Sequence, residues 1–198
     1  MVVFGSIPSR RLGRSLGINN VSYKYCTYSC IYCQLGLTSC LTTLSRNFYA
    51  PDDIAQETEN KLEELKKSDE KADYITFVPD GEPTLDINLG ATIEKLKKFE
   101  IKLAIITNSS VLFENNIRNV LMLADWVSLK IDAVEPEIWR KINRPHGCLN
   151  LDFILNGIKD FASSYRGVLV TETMLVKGIN DSNESITGMA FLLTADVF

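Results

Sequence analysis

The sequence predicts an α/β fold of parallel βαβ units bent into a partial barrel. Three observations lead there. Short apolar, β-branched runs alternate with segments of helical periodicity. No hairpin signal joins one run to the next, so the strands are expected to be parallel and linked by right-handed crossovers. Finally, 198 residues fall short of the roughly 250 that a closed eight-stranded barrel takes.

The elements follow in order. Ser15–Val21 is a weak opening strand. A helix over Asp52–Lys67 begins after Pro51 and carries Ile54, Thr58, Leu62 and Leu65 on one stripe. Tyr74–Val78 is the next strand, and Leu89, Ile93 and Leu96 mark a second helix. Leu103–Thr107 and Trp126–Ile131 are buried strands separated by a helix over Phe113–Leu123. A helix over Asp152–Tyr165 leads to a strand over Val168–Val176. Asp181 and Glu184 then cap a last helix through Ile186, Met189 and Leu193. About five units are visible in one domain, residues 1–198, which is expected to be short of a final strand at its C-terminal end.

Composition narrows the function classes. With 45% hydrophobic residues and a net charge of −4, one substantial core is expected and a surface built wholly for polyanions is not. Arg10, Arg11 and Arg14 form a local basic patch, read either as a contact for a polyanionic substrate or as a salt-bridge face. Neither a phosphate loop nor a dinucleotide fingerprint surrounds it. Five cysteines, three tightly clustered, do not form an extracellular disulfide framework, so a reducing cytoplasm is expected. No apolar stretch of about 18 residues is present to span a bilayer, and no signal peptide is recognisable.

The cluster is Cys26-Thr-Tyr-Ser-Cys30-Ile-Tyr32-Cys33. Thiolates this close on one loop can face a single metal centre, and three ligands leave a four-coordinate site one position short. Two alternatives stay open: Cys40 or Cys148 completes a structural four-thiolate site, or the chain holds its metal group without turnover.

Parallel α/β folds bind ligands at the carboxyl ends of their strands, and the unusual residues fall there. Gly81-Glu82-Pro83 follows one strand, Asn108 the next, Lys130-Ile131-Asp132 ends another, and Lys177–Asp181 follows the last. Lys130 and Glu172 interrupt strands that otherwise read as buried, where a charge is costly without a partner. His146, the single histidine, reads as an exposed loop residue.

At Cys26, Cys30, Tyr32 and Cys33 the chain resembles the radical S-adenosylmethionine (SAM) superfamily, whose signature is Cys-x3-Cys-x-aromatic-Cys. Residues Ile7–Gly36, and the segments around Gly81–Thr84, Ile106–Ser109, Ser128–Ala133 and Met174–Asp181, resemble the iron–sulfur oxidoreductases related to tRNA wyosine-base synthases. The resemblance implies a partial (β/α)6 TIM-like barrel. It implies a [4Fe-4S] cluster on Cys26, Cys30 and Cys33, and S-adenosyl-L-methionine cleaved reductively to a 5′-deoxyadenosyl radical that takes hydrogen from a substrate. It implies that Gly81, Glu82 and Pro83 receive the methionyl amino group and that Asn108 and Ser128 or Lys130 face carboxylate and ribose. Tyr32 and the turn from Val176 to Asn180 are implied near adenine. An external flavodoxin or ferredoxin-like electron donor is implied as well. The substrate is not read from the residues, and RNA is a possibility left unassigned.

Overall fold

The computed structural model describes residues 2–194, without the side chains of 193 and 194. The main sheet runs β1 (Val3–Ser9), β2 (Gly13–Ile18), β5 (Tyr74–Phe77), β6 (Lys102–Thr107), β7 (Trp126–Lys130) and β8 (Val168–Glu172), neighbours in that spatial order. All pairings from β2 to β8 are parallel, as expected. Between β2 and β5 a separate two-stranded ladder joins β3 (Tyr25–Cys26) to β4 (Cys40–Leu41). Helices α1 (Pro51–Lys67), α2 (Leu89–Leu96), α3 (Asn115–Leu121), α4 (Pro136–Asn143), α5 (Leu151–Ser164) and α6 (Asn183–Thr194) fill the intervals. Among the described residues the sheet ends at β1 and β8 without closing.

Alternation along each strand divides the sheet into two faces. Ile75, Phe77, Leu103, Ile105, Val127 and Leu129 point outward, where Ile54, Leu65, Ile93, Leu96, Ile154 and Phe161 of the helices cover them. Each such side chain contributes about 1.5–3 kcal/mol when fully buried. The inner face carries Tyr74, Ala104, Ile106, Trp126 and Val170, and Leu12 packs against these.

Leu12 marks the first departure from expectation. β1 and β2 pair antiparallel as a hairpin, where the sequence offered no hairpin signal. Its turn, Arg10-Arg11-Leu12, has no Asn-Gly pair; the Ser9 hydroxyl accepts from the Leu12 N–H at 3.2 Å, and Gly13 takes a positive φ of 61°. The turn folds beneath the sheet and closes the lower end of the inner face.

Helix α4 is the second departure. Only eight residues long, it buries Trp139, Ile142 and Asn143, too few positions for periodicity to declare itself. The last strand ends at Glu172 rather than Val176, because Met174 N and Val176 N bond to the side chains of Asp132 and Asn180 instead of continuing a ladder. Helix α6 begins at Asn183 with Ser182 as its cap, through Ser185 N to Ser182 Oγ at 3.1 Å; Asp181 instead accepts from Gly178 N. Met189 of its expected stripe is buried while Ile186 is exposed. Leu193 and the stretch 195–198 lie outside the described side chains.

Candidate functional site

Cys26 ends β3, and residues 27–39 run as loop over the carboxyl ends of the parallel strands. With little regular structure of its own, this loop is held by other segments. Ser29 N and Ile31 N donate to the carbonyls of Asn143 and Ile142 at 2.9 Å, where α4 ends. On the opposite side Thr42 N donates to Cys26 O at 3.0 Å, and Thr38 Oγ1 to Tyr28 O at 2.7 Å. The Trp139 indole donates to the Tyr28 hydroxyl at 3.2 Å, pinning the loop to α4 from below.

Each sulfur of the triplet meets a side-chain N–H donor. Asn108 Nδ2 lies 3.5 Å from Cys26 Sγ, Asn143 Nδ2 3.4 Å from Cys30 Sγ, and Lys24 Nζ 3.2 Å from Cys33 Sγ. Lys24 is itself buried, with φ at 56°, and also donates to Gly36 O at 2.7 Å. Among the described residues no group of Cys, His, Asp and Glu is already closed to metal-ligand geometry. The three thiols instead border an open cavity of about 270 Å³.

That cavity brings together most of the residues expected at the site: Cys26, Cys30, Tyr32, Cys33, Gly81, Glu82, Asn108 and Lys130 all line it. Pro83 is buried at the start of a short 3-10 turn behind Glu82. Ser128 faces the same side of the sheet as Lys130, buried, its Oγ without a protein partner. Val176 and Asn180 lie outside the lining. The fully buried Asn180 amide is occupied by the carbonyls of Asp132 and Met174 at 2.8 and 2.9 Å.

Glu82 is the central acid. Its Oε1 accepts from Thr84 N, Thr84 Oγ1 and Thr107 Oγ1 at 3.2, 2.6 and 2.6 Å, and its Oε2 accepts from Asn108 N at 2.7 Å. A carboxylate has about four acceptor positions, so Oε2 retains capacity on the cavity side. Burial raises the Glu82 carboxyl above the ordinary range even though these donors pull it down. Gly81 fits because a Cβ there would lie 2.1 Å from Tyr25 O; that carbonyl also accepts from Glu82 N at 3.0 Å.

Burial also pushes the Cys26 thiol up to about 12, with the Glu82 charge adding to it, and raises Cys30. These sulfurs are therefore held as neutral thiols until a cation replaces their protons. The donor set fits an iron–sulfur centre or another thiophilic metal: three soft ligands, an N–H at each sulfur and a cavity alongside.

Lys24 and Asn143 were invisible as site residues in the sequence, and Asp132, marked there only by its place at a strand end, gains its role from its partners. Asp132, buried at the end of β7, accepts from the Tyr32 hydroxyl, from Asn143 Nδ2 at 2.7 Å and from Met174 N at 2.7 Å. It thereby ties the cysteine loop, α4 and the segment after β8 to one carboxylate. Lys130 Nζ sits 5.0 Å from the Tyr32 ring centre and 4.0 Å from Asp132 Oδ1. Glu172 pairs with Arg11 at 2.5 Å across the inner face, and Arg14 with Glu70 at 2.7 Å. Two of the three basic-patch arginines are thus in ion pairs. His146 is half-buried, its Nδ1 3.0 Å from Cys148 Sγ, while Cys40 belongs to the β3–β4 ladder.

The chain belongs to the radical SAM superfamily, which its residues 20–189 match. It is similar to a UPF0026 protein of Methanocaldococcus jannaschii, 50% identical over 192 residues that cover 97% of this chain and 59% of that protein. A UPF0026 protein of Synechocystis is 36% identical over 185 residues, 92% of this chain and 68% of its own length. Among solved structures, TYW1 with a lysine–pyruvate adduct bound superposes with a TM-score of 0.66 at 15% identity, over 87% of this chain and 59% of that one. The fold is that of the partial TIM-like barrels of this superfamily. The chain spans 59% of the length of the Methanocaldococcus relative. Among the described residues no helix is long and apolar enough to cross a membrane.

Proposed function

We propose that this chain holds a [4Fe-4S] cluster through Cys26, Cys30 and Cys33 and binds S-adenosyl-L-methionine in the adjoining cavity. Bound there, cluster and cofactor supply a reductive cleavage whose 5′-deoxyadenosyl radical abstracts hydrogen from a substrate left unassigned. The observation that carries this reading is the convergence of the three thiols with Gly81, Glu82, Asn108 and Lys130 on one cavity at the strand ends.

The protein groups have separable tasks. Lys24, Asn108 and Asn143 direct N–H groups at the sulfurs and stabilise negative charge on them. Glu82 Oε2 offers an acceptor to the cofactor's ammonium, while its bonds to Thr84, Thr107 and Asn108 N fix the turn that presents it. Ser128 and Lys130 supply a hydroxyl and an ammonium for ribose and carboxylate. The Tyr32–Asp132 bond sets the position of the loop against β7. An external one-electron donor in a reducing cytoplasm completes the system.

Anaerobic reconstitution with iron and sulfide, followed by dithionite and SAM, tests the proposal. A [4Fe-4S]+ signal perturbed by SAM, with release of 5′-deoxyadenosine, is expected. One tightly bound zinc and neither of those signals would replace it with a structural metal site.

A further inference from the structure

The first 51 residues contain no aspartate or glutamate but carry Arg10, Arg11, Arg14, Lys24 and Arg46, although the chain's net charge is −4. A second acid-free stretch, Ile138–Leu151, carries Arg140, Lys141 and Arg144. The fold lays the two side by side. Ser29 N bonds to Asn143 O, Tyr28 bridges to Pro145, and His146 N bonds to Thr27 O at 2.9 Å. Between them, on the outer side of the cysteine loop, lies a groove of about 430 Å³ whose charged lining residues are Arg140 and Arg144, with Leu41, Trp139 and Leu149 as its apolar wall. Among the described residues neither arginine forms an ion pair. The neighbouring loop exposes Leu37 at 76% and Leu44 at 67%.

We infer that this groove docks an acidic one-electron carrier protein, whose carboxylates pair with Arg140 and Arg144 while apolar side chains meet Leu41 and Leu44. The inference rests on the radical SAM reading. Apolar contact area rimmed by unpaired charge of one sign suits a transient, electrostatically steered partner. The position also suits delivery: Asn143, whose Nδ2 lies 3.4 Å from Cys30 Sγ, directly precedes Arg144. The step is a single electron leaving the carrier's reduced flavin or iron–sulfur centre and entering the [4Fe-4S]2+ cluster to give [4Fe-4S]+, with no bond made or broken.

The test uses the reconstituted protein and flavodoxin hydroquinone as the carrier. Stopped-flow reduction of the cluster is compared for wild type, for the double variant Arg140→Glu/Arg144→Glu, and for Lys67→Glu on the exposed end of α1 as control. The double variant should reduce at least tenfold more slowly at low salt, high salt should bring the wild type close to it, and dithionite should reduce all three alike. Equal flavodoxin rates in wild type and double variant would overturn the docking site, as would loss of RNA-oligonucleotide binding by the double variant with its flavodoxin rate intact. A wild type that forms no dithionite-reducible cluster sinks the functional reading itself, a separate result. Arg144→Gln, which removes one charge without adding repulsion, should give an intermediate rate and guards against misfolding of the double reversal.

Discussion

Gly81→Ala isolates the contact on which the cysteine loop and the Glu82 turn depend. The added methyl would stand 2.1 Å from Tyr25 O and 3.0 Å from both Tyr25 C and Val21 Cγ2. Real Cβ contacts stop near 3.0 Å, so one of the two chains must retreat by about 1 Å. The closest atom is backbone in β3, with no rotamer through which to escape, and its carbonyl already accepts from Glu82 N at 3.0 Å. Overpacking of this kind costs about 1–3 kcal/mol, and loss of the hydrogen bond about 1 kcal/mol more. A total of about 2–4 kcal/mol corresponds to a fall in Tm of about 5–15 °C for a chain of this size. Because the retreat moves Tyr25, the residue before Cys26, iron retained after reconstitution should drop even well below the new Tm. Thermal circular dichroism and iron analysis check both effects, with Gly147→Ala, where a Cβ meets nothing within 4 Å, as the neutral comparison. A Gly81→Ala protein that melts within about 2 °C of wild type, a loss of no more than about 1 kcal/mol, and binds its full iron would refute the steric argument.

Asp132→Asn places an amide NH2 against the N–H donors of Asn143 or Met174 and should cost about 2–4 kcal/mol in urea unfolding; a loss below about 0.5 kcal/mol would mean the carboxylate is not the anchor described. Lys24→Met removes the ammonium from Cys33 Sγ and Gly36 O. In the reconstituted protein it should lower the cluster's midpoint potential by about 100 mV, the scale of a nearby unit charge at an effective dielectric of about 20; an EPR-monitored redox titration reads this, and an unchanged potential counts against Lys24 as a cluster contact. Burial pushes the Asp86 carboxyl up to about 6 against the hydrogen bonds from Asn88 N and the Asn20 amide. A raised carboxyl favours the protonated native state, so stability is highest below pH ~4 on this account and falls as pH rises to about 6. Asp86→Asn should flatten that window by about 1–2 kcal/mol after allowance for solvent screening, and an unaltered pH–stability curve would remove Asp86 as its source.

The parallel order was legible because β5, β6 and β7 are short, largely buried apolar runs alternating with helices. The cysteine spacing and the strand-end residues Gly81, Glu82, Asn108 and Lys130 were legible for a related reason: in this architecture position along a strand fixes position in space. Lys24 and Asn143 were not, and Asp132 was noticed only for its place at a strand end, because their roles depend on partners 9, 113 and 100 residues away in the chain. The hairpin escaped because its turn relies on Ser9 Oγ and a positive-φ Gly13 rather than on a turn dipeptide. Asn180 shows the limit of position alone: its place in the turn after the last strand was anticipated, while its buried amide bonds to the carbonyls of Asp132 and Met174, a role only the structure displays.

Lys24 bears on the charge the loop is built to hold. A buried ammonium is costly unless compensated, and among the described residues no carboxylate lies within 4.0 Å of it. Its contacts are a carbonyl oxygen and the sulfur of Cys33, and of these two the sulfur is the atom able to carry negative charge. Meanwhile burial holds Cys26 and Cys30 in their neutral forms, with amide N–H groups already directed at both sulfurs. The loop thus combines a fixed cation, two directed dipoles and three ionisable thiols around one cavity. That arrangement offers compensation to negative charge on the sulfurs, as the proposed metal–sulfur centre needs and as an apolar loop would not.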